Sequence, residues 1–148
     1  MKDLELYIPV GIVASGKSTA CRKWAEENEA VIVEADVLRT IFHRKYIFDP
    51  KTEDIIWRVI QVATAEWLNH QICVAVDDAV FFLKKKNRTM FESQLAFMTM
   101  YPYRVTWDFL PLPTDDQVAE RRGKEGRGYP VEEWVKVAQR QREELEHD

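Results

Sequence analysis

The chain has 148 residues and a formal net charge of −4, with 46% hydrophobic and 31% charged residues. This length accommodates one domain with a single substantial core and leaves little room for a separate substrate domain. The acidic balance excludes a protein that coats long nucleic acids through many phosphate contacts, although a few arginines suffice to grip one strand end. We therefore expect a single domain over 1–148 with one active site.

The N-terminus and the cysteines indicate in which cellular compartment the protein is expected. No window approaches the roughly 18 to 20 unbroken apolar residues of a membrane span, and the start MKDLELY does not have the basic and apolar regions of a secretory signal. Cys21 and Cys73 lie in patterns that indicate a helix and a buried strand, as expected of free thiols. The sequence predicts a reduced, cytoplasmic protein with no membrane segment.

Short apolar runs alternate along the chain with segments of helical periodicity. This alternation predicts an α/β fold with three layers and a short parallel sheet. The predicted strands cover 4–10, 30–33, 71–76 and 103–110, and the predicted helices run from about 18 to 28, 52 to 69, 87 to 100, 114 to 122 and 130 to 146.

Local signals support several of these helices. Thr52 can cap the long helix, Thr114 and Gln117 form a capping-box pattern, and Pro130 suits the first residue of the closing helix. Apolar residues recur at helical spacing in the long helix and predict its buried stripe: Ile55, Ile56, Val59, Ile60, Ala63 and Trp67.

The stretch GIVASGKS follows the first predicted strand and precedes the first helix. It matches G-x-x-x-x-G-K-[ST] at every fixed position. In this motif, backbone N–H groups cradle the β-phosphate of a nucleotide, the lysine reaches β and γ oxygens, and the serine hydroxyl takes a Mg²⁺ position. A chance match in a glycine turn is the alternative, but it need not have this context. The predicted ATP-binding residues are Gly11, Ala14, Ser15, Gly16, Lys17, Ser18 and Thr19, with Lys17 also catalytic and Ser18 also at the metal.

Two carboxylates follow the third predicted strand, Asp77 and Asp78. A carboxylate at the end of a central strand can orient Mg²⁺, and either residue could do so. We assign Asp77 to the metal, and the alternative is a merely solvated turn.

The segment EADVLR after the second strand has the spacing D-x-x-R, with Asp36 and Arg39 on one side of a helix start. Phosphoryl transfer needs a carboxylate that accepts the proton of the acceptor hydroxyl, and Asp36 suits this role. Arg39 suits a bidentate grip on a substrate phosphate. A helix cap followed by a surface arginine is the alternative.

Four segments, GIVASGKST, EADVLR, AVDD and PTDDQVAERRGKEGRGYPVEEW, together resemble the phage-type 5′ polynucleotide kinases, small P-loop kinases with an adenylate-kinase-like fold. The resemblance implies that Asp36 is the general base toward a 5′-hydroxyl and that Arg39 holds the phosphate on the 3′ side of the terminal nucleotide. It also implies a lid over about 121–130. In this lid the candidates for contact with the ATP phosphates are Arg121 and Arg127 as catalytic arginines and Arg122.

The resemblance is broken after the third strand. Relatives often have Asp-Thr-Asn there, whereas this chain has Asp78-Ala79-Val80. Because the resemblance places this loop near the acceptor, Asp78 is a candidate acceptor-binding residue and the identity of the acceptor stays open.

The segment FFLKKKNR follows the same strand. Phe81 and Phe82 could stack a base, and the lysines at 84–86 with Arg88 could meet substrate phosphates. The alternative is that the phenylalanines belong to the core and the lysines form a solvated face.

These patterns together predict an ATP- and Mg²⁺-dependent kinase that phosphorylates a nucleic-acid hydroxyl, most simply the 5′-OH of a DNA or RNA end. The same residues would serve a nucleoside, a small metabolite or a hydroxymethylated base in phage DNA. A nucleotide-binding switch with little turnover is a third possibility, which predicts ATP binding without acceptor-stimulated hydrolysis.

Overall fold

A computed structural model describes residues 3–44, 49–78, 80–125 and 130–147. It contains four strands, β1 (Glu5–Val10), β2 (Val31–Glu34), β3 (Val74–Asp77) and β4 (Arg104–Phe109). The helices are α1 (Lys17–Asn28), α2 (Ala35–His43), α3 (Glu53–Asn69), α4 (Lys85–Met98), α5 (Asp115–Glu125) and α6 (Val131–Glu144), and a 3₁₀ turn spans Phe81–Leu83.

The strands form one parallel sheet in the order β2-β3-β1-β4. The predicted α/β fold with a short parallel sheet is therefore confirmed. Because the strands are parallel, the loops that follow β1, β2 and β3 all leave the same edge of the sheet, where ligands bind in open α/β folds. The register places Glu34 at the end of β2 beside Asp77 at the end of β3.

The largest difference in strand bounds is at β3, which begins at Val74 rather than at residue 71. The preceding residues are still completing the end of α3, since the amide of Ile72 donates to the carbonyl of Trp67 at 3.0 Å and Gln71 has φ of 59°. Ile72 and Cys73 thus precede the strand and do not belong to it.

The buried stripe of α3 is offset from the predicted one. Ile56 and Ile60 are buried as expected, but Ile55 and Trp67 are 61% and 42% exposed. The helix buries other residues in their place, namely Trp57, Gln61, Thr64, Ala65 and Leu68. Periodicity alone gave the wrong phase because apolar residues occur on two adjacent stripes of this helix.

Phe81 and Phe82 belong to the core. Phe82 is 1% exposed and packs edge-to-face against Phe91 and Trp107, while Phe81 stacks on Trp57 with ring centroids 3.6 Å apart. These ring contacts favour the packing interpretation of the pair over the base-stacking interpretation.

The helix ends show which of the predicted capping residues form a cap. Thr114 and Gln117 form the reciprocal capping box, with Gln117 N donating to Thr114 Oγ1 at 3.2 Å and Thr114 N donating to Gln117 Oε1 at 2.9 Å. Thr52 precedes α3 without a side-chain cap, because its hydroxyl donates to the carbonyl of Asp49 at 3.1 Å. Among the residues with described positions, no helix combines the length and apolarity needed to cross a membrane.

Candidate active site

The loop from Gly11 to Gly16 joins β1 to α1 and requires glycine at two points. A Cβ at Gly11 would lie 3.0 Å from the Cβ of Ser15, closer than side chains tolerate. Gly16 has φ of 94° and is the residue before α1, a conformation that glycine adopts without strain. The loop thus turns its following helix N-terminus toward the cleft, as an anion-binding loop does.

Lys17 is the first residue of α1 and is 7% exposed. Its Nζ donates to the carbonyl of Ile12 at 2.7 Å, which holds the ammonium across the loop. Burial lowers the pKa of Lys17 to about 8, and Asp77 partly opposes this shift. A partly desolvated ammonium at this position is a strong partner for a phosphate oxygen.

This pKa leads to a prediction for nucleotide binding. Lys17 is charged below about pH 8 and loses its proton above it. The affinity for ATP should therefore fall as pH rises through this range, by up to about tenfold per pH unit. Calorimetric titration with ATP between pH 7 and 9.5, at about half-unit steps, measures this dependence.

The matched control is Lys17→Arg, whose guanidinium stays charged across the whole range. This variant should bind ATP more weakly than the native protein but without the decline above pH 8. A parallel decline in both proteins would assign the pH effect to another group.

Ser18 and Asp77, which the sequence predicts to hold Mg²⁺, are in direct contact. The Ser18 hydroxyl donates to Asp77 Oδ2 at 2.7 Å, which connects the start of α1 to the end of β3. A hydroxyl and a carboxylate are the oxygen ligands that Mg²⁺ accepts when nucleotide phosphates and water complete its shell. No cluster of three or more His, Cys, Asp or Glu side chains with metal-binding geometry occurs in the described part of the chain. The donor set therefore fits a metal that arrives with a nucleotide.

Arg39 lies at the centre of a network of carboxylates. Its Nη1 donates to Asp36 Oδ1 at 2.7 Å, and its Nε and Nη2 donate to the two oxygens of Glu53 at 3.0 and 2.5 Å. Asp78 Oδ2 is 3.5 Å from Nη2. The Arg39 side chain is 3% exposed, whereas Asp36 is 43% exposed and faces the cleft.

This geometry corrects the expected role of Arg39. The planar edge of the guanidinium that would grip a phosphate is already occupied by Glu53 in a bidentate pair. Arg39 is not among the residues that line the cleft. These contacts favour a positioning role, in which Arg39 orients the carboxylate of Asp36, over the predicted phosphate grip.

Asp78 is buried beneath this network. Burial raises the pKa of Asp78 to about 6, and the nearby Arg39 opposes the shift. Because Asp78 also lines the cleft, an acceptor contact by this residue stays a prediction.

Two arginines of α5, Arg121 and Arg122, lie at the cleft beside the loop. Arg121 Nη1 donates to the carbonyl of Ala14 at 2.5 Å, and the guanidinium of Arg122 lies 4.7 Å from the centre of the Trp134 ring. Both line the cleft. The third predicted lid arginine, Arg127, is outside the described residues, as are 126–129 generally.

Most of the predicted site residues line one cleft of about 680 Å³. Gly11 is not among the lining residues, but its lack of a side chain allows the close approach of Ser15 within the loop. The lining residues are Ala14, Ser15, Gly16, Lys17, Ser18, Thr19, Ala20, Arg22, Lys23, Glu34, Asp36, Asp77, Asp78, Arg121 and Arg122.

Arg88 does not belong to this cleft. Its guanidinium is buried at 2% exposure, and it donates to the carbonyls of Phe82, Leu83 and Glu146 at 2.7, 3.1 and 2.5 Å. These bonds join the 3₁₀ turn to the residues after α6. The substrate-binding prediction for Arg88 is corrected to a structural role.

Two site residues were not found by sequence reasoning. Glu53, at the start of α3, has the ordinary position of an acid in a first helical turn. Gln141 of α6 accepts a hydrogen bond from the amide of Val13 at 2.6 Å and is 4% exposed. No local signal marks either residue, because both act through contacts distant along the chain.

No protein-family model matches this chain, and no curated protein matches it significantly. Solved structures match it in fold. A chain of the Pnkp1/Rnl/Hen1 RNA repair complex has a TM-score of 0.66 at 19% identity, over 99% of this chain and 47% of that chain. This chain thus spans about half the length of that relative.

Metabolite kinases match to a similar degree. A sugar kinase from Janibacter sp. HTCC2649 has a TM-score of 0.68 at 17% identity, over 99% of this chain and 80% of that chain. The APS kinase CysC of Mycobacterium tuberculosis, in complex with AMPPNP and APS, has a TM-score of 0.63 at 18% identity, over 85% of this chain and 72% of that chain. The chain has the fold of the P-loop kinases.

Proposed function

We propose that this protein is a kinase that transfers the γ-phosphoryl group of ATP to a hydroxyl of an acceptor bound beside Asp36. The observation that carries the proposal is the convergence, in one cleft, of the phosphate-binding loop, the Ser18–Asp77 pair, the exposed carboxylate of Asp36 and two arginines of α5. A nucleotide-binding protein without turnover has no need of a positioned carboxylate opposite its phosphate site.

Each group has a role in the transfer. The loop amides and Lys17 hold the phosphates, and Ser18 and Asp77 would hold Mg²⁺, which neutralises phosphate charge when it is bound. Asp36 accepts the proton of the acceptor hydroxyl while the acceptor oxygen bonds to the γ-phosphorus and the bond to the ADP oxygen breaks. Arg121 and Arg122 lie where they can neutralise the charge on the transferring group.

Arg39 acts through Asp36. Its bidentate pair with Glu53 fixes the guanidinium, and Nη1 donates to Asp36 Oδ1. A carboxylate held in this way is pre-oriented toward the acceptor, which reduces the entropic cost of reaching the transition state.

The first candidate for the acceptor is the 5′-hydroxyl of a nucleic-acid end. The sequence resemblance to 5′ polynucleotide kinases supports it, and so does the similarity in fold to a chain of an RNA repair complex. The exposed cleft cations include Arg22 and Lys23, which are suited to backbone phosphates.

The second candidate is a small molecule with a neutral hydroxyl. The engagement of Arg39 by Glu53 favours it, because the guanidinium expected to hold a substrate phosphate is occupied. Sugar kinases and a gluconokinase have the same fold.

Transfer from γ-labelled ATP with Mg²⁺ to separate acceptors tests these candidates. The acceptors are 5′-hydroxyl DNA and RNA oligonucleotides, a nucleoside mixture, a set of sugars and sugar acids, and end-blocked duplex DNA with hydroxymethylated pyrimidines. Label on the oligonucleotides alone supports the first candidate, and label on sugars or nucleosides alone supports the second. ATP binding without transfer to any acceptor would contradict the proposed kinase and favour a nucleotide switch.

A further inference from the structure

The outer edge of β4 is the second distinctive surface of the molecule. Within the described residues β4 pairs only with β1, through bonds such as Arg104 N to the carbonyl of Leu4 and Leu110 N to the carbonyl of Val10. Because successive amides of a strand point in opposite directions, those of 105, 107 and 109 point away from β1. An edge of this kind is a template for another strand.

Two of the usual protections of an edge strand, a proline and a bulge, do not occur in β4. No proline interrupts Arg104–Phe109, and no bulge occurs in its register with β1. Exposed apolar side chains occur in the segments that precede and follow the strand, with Met100 72% and Leu112 51% exposed. Proteins commonly blunt exposed edges with such devices, and exposed apolar residues beside one indicate an interaction surface.

We propose that the β4 edge is a self-association surface, on which the β4 strand of a second copy pairs antiparallel about a two-fold axis through Thr106. The result is a continuous sheet of eight strands. About a two-fold axis the same strand lies on both sides of the interface, so every contact between the two copies occurs twice.

Charge complementarity supports this register. When Thr106 of one copy lies opposite Thr106 of the other, Arg104 of each copy lies opposite Asp108 of the second copy, so this pair occurs twice. Arg104 already bonds Glu5 at 2.8 Å, and Asp108 accepts the hydroxyl of Tyr7 at 2.5 Å. A guanidinium has five donors and a carboxylate about four acceptor sites, so each group has capacity for the second contact.

The apolar side chains support the same register. Met100 and Leu112 each lie six residues from Thr106, so a two-fold axis there brings the segment before β4 of one copy toward the segment after β4 of the other. Tyr101, which lines a shallow groove together with Met100 and Val105, lies beside them. The interface thus covers apolar surface at both ends of a polar centre, an arrangement that favours a second copy over an unrelated partner.

Sedimentation equilibrium of the full chain, from low to high micromolar concentrations, tests the association. A concentration-dependent dimer is expected. Thr106→Lys should raise the dissociation constant of this dimer by at least about tenfold, because two like charges then face each other at the axis. The control is Thr89→Lys, which adds the same charge at an exposed position of α4. A monomer at every concentration, or a dimer equally unaffected by both variants, would overturn the proposal.

A cysteine at the axis tests the register. Residues directly opposite in a non-hydrogen-bonded antiparallel pair have Cβ atoms about 4.5 to 5.5 Å apart, so Thr106→Cys should form an intermolecular disulfide under mild oxidation. The native cysteines are buried and should not compete. Thr89→Cys serves as the control and should stay monomeric. Failure of Thr106→Cys to cross-link any faster than this control would overturn the two-fold register.

Discussion

Replacing Asp36 by asparagine is expected to lower kcat by about 10²- to 10⁴-fold, the contribution typical of a positioned general base. The amide keeps the size of the side chain and can still accept from Arg39 Nη1, which now lies 2.7 Å from Asp36 Oδ1. It cannot accept the proton of the acceptor hydroxyl. Turnover should therefore fall while ATP affinity and thermal stability stay close to those of the native protein.

Steady-state transfer from γ-labelled ATP to the acceptor found in the panel measures this effect. Asp54→Asn is the matched control, because Asp54 is an exposed carboxylate in the first turn of α3. If Asp36→Asn turned over as fast as Asp54→Asn, the base assignment would be wrong. The similarity in fold would be unaffected by that result.

Replacing Arg39 by alanine is expected to destabilise the protein by roughly 3 to 5 kcal/mol, since removal of one partner leaves buried carboxylates uncompensated. Asp78 and Glu53 then face each other without the guanidinium that lies between them. Urea unfolding followed by circular dichroism measures the free energy. Arg58→Ala, which removes an exposed arginine from α3, is the control.

The destabilisation caused by Arg39→Ala is expected to depend on pH through Asp78. The pKa of Asp78 is raised from its ordinary 3.8 to about 6, so its contribution to stability is present below 3.8 and is lost as pH rises through 6. Without Arg39 the pKa should rise further, because Arg39 opposes the shift. The loss should be larger at about pH 8 than at about pH 5.

The same variant distinguishes the two roles considered for Arg39. A residue that only grips a substrate phosphate leaves folding unchanged when it is removed, and raises KM for the acceptor. A positioning residue within a buried network lowers stability and kcat together. An Arg39→Ala protein of native stability with only a raised KM would restore the phosphate-gripping role.

The parts of the candidate site whose geometry agrees with the sequence prediction are local ones. The loop from Gly11 to Ser18 is defined by the conformations and side chains of consecutive residues, so its motif can be recognised from the sequence alone. The capping box at Thr114 is local in the same sense.

The parts that sequence analysis missed depend on contacts distant along the chain. Arg39 and Asp36 have the right spacing for a shared substrate, but Glu53, 14 residues further on, decides where the guanidinium points. Similarly, Arg88 looks like part of a basic surface until the residues after α6 supply a carbonyl for it. Spacing predicts which side chains are neighbours on one helix but not which groups the tertiary fold adds.

The hydrogen bond from Val13 to Gln141 has a consequence for biosynthesis. It joins the phosphate-binding loop to a helix 128 residues later in the chain. During synthesis the loop emerges well before α6, which supplies its hydrogen-bond partner, so this contact closes late and with a high entropic cost. We expect a nascent chain to acquire nucleotide affinity only after α6 has left the ribosome, and the loop to be exposed to chaperones until then.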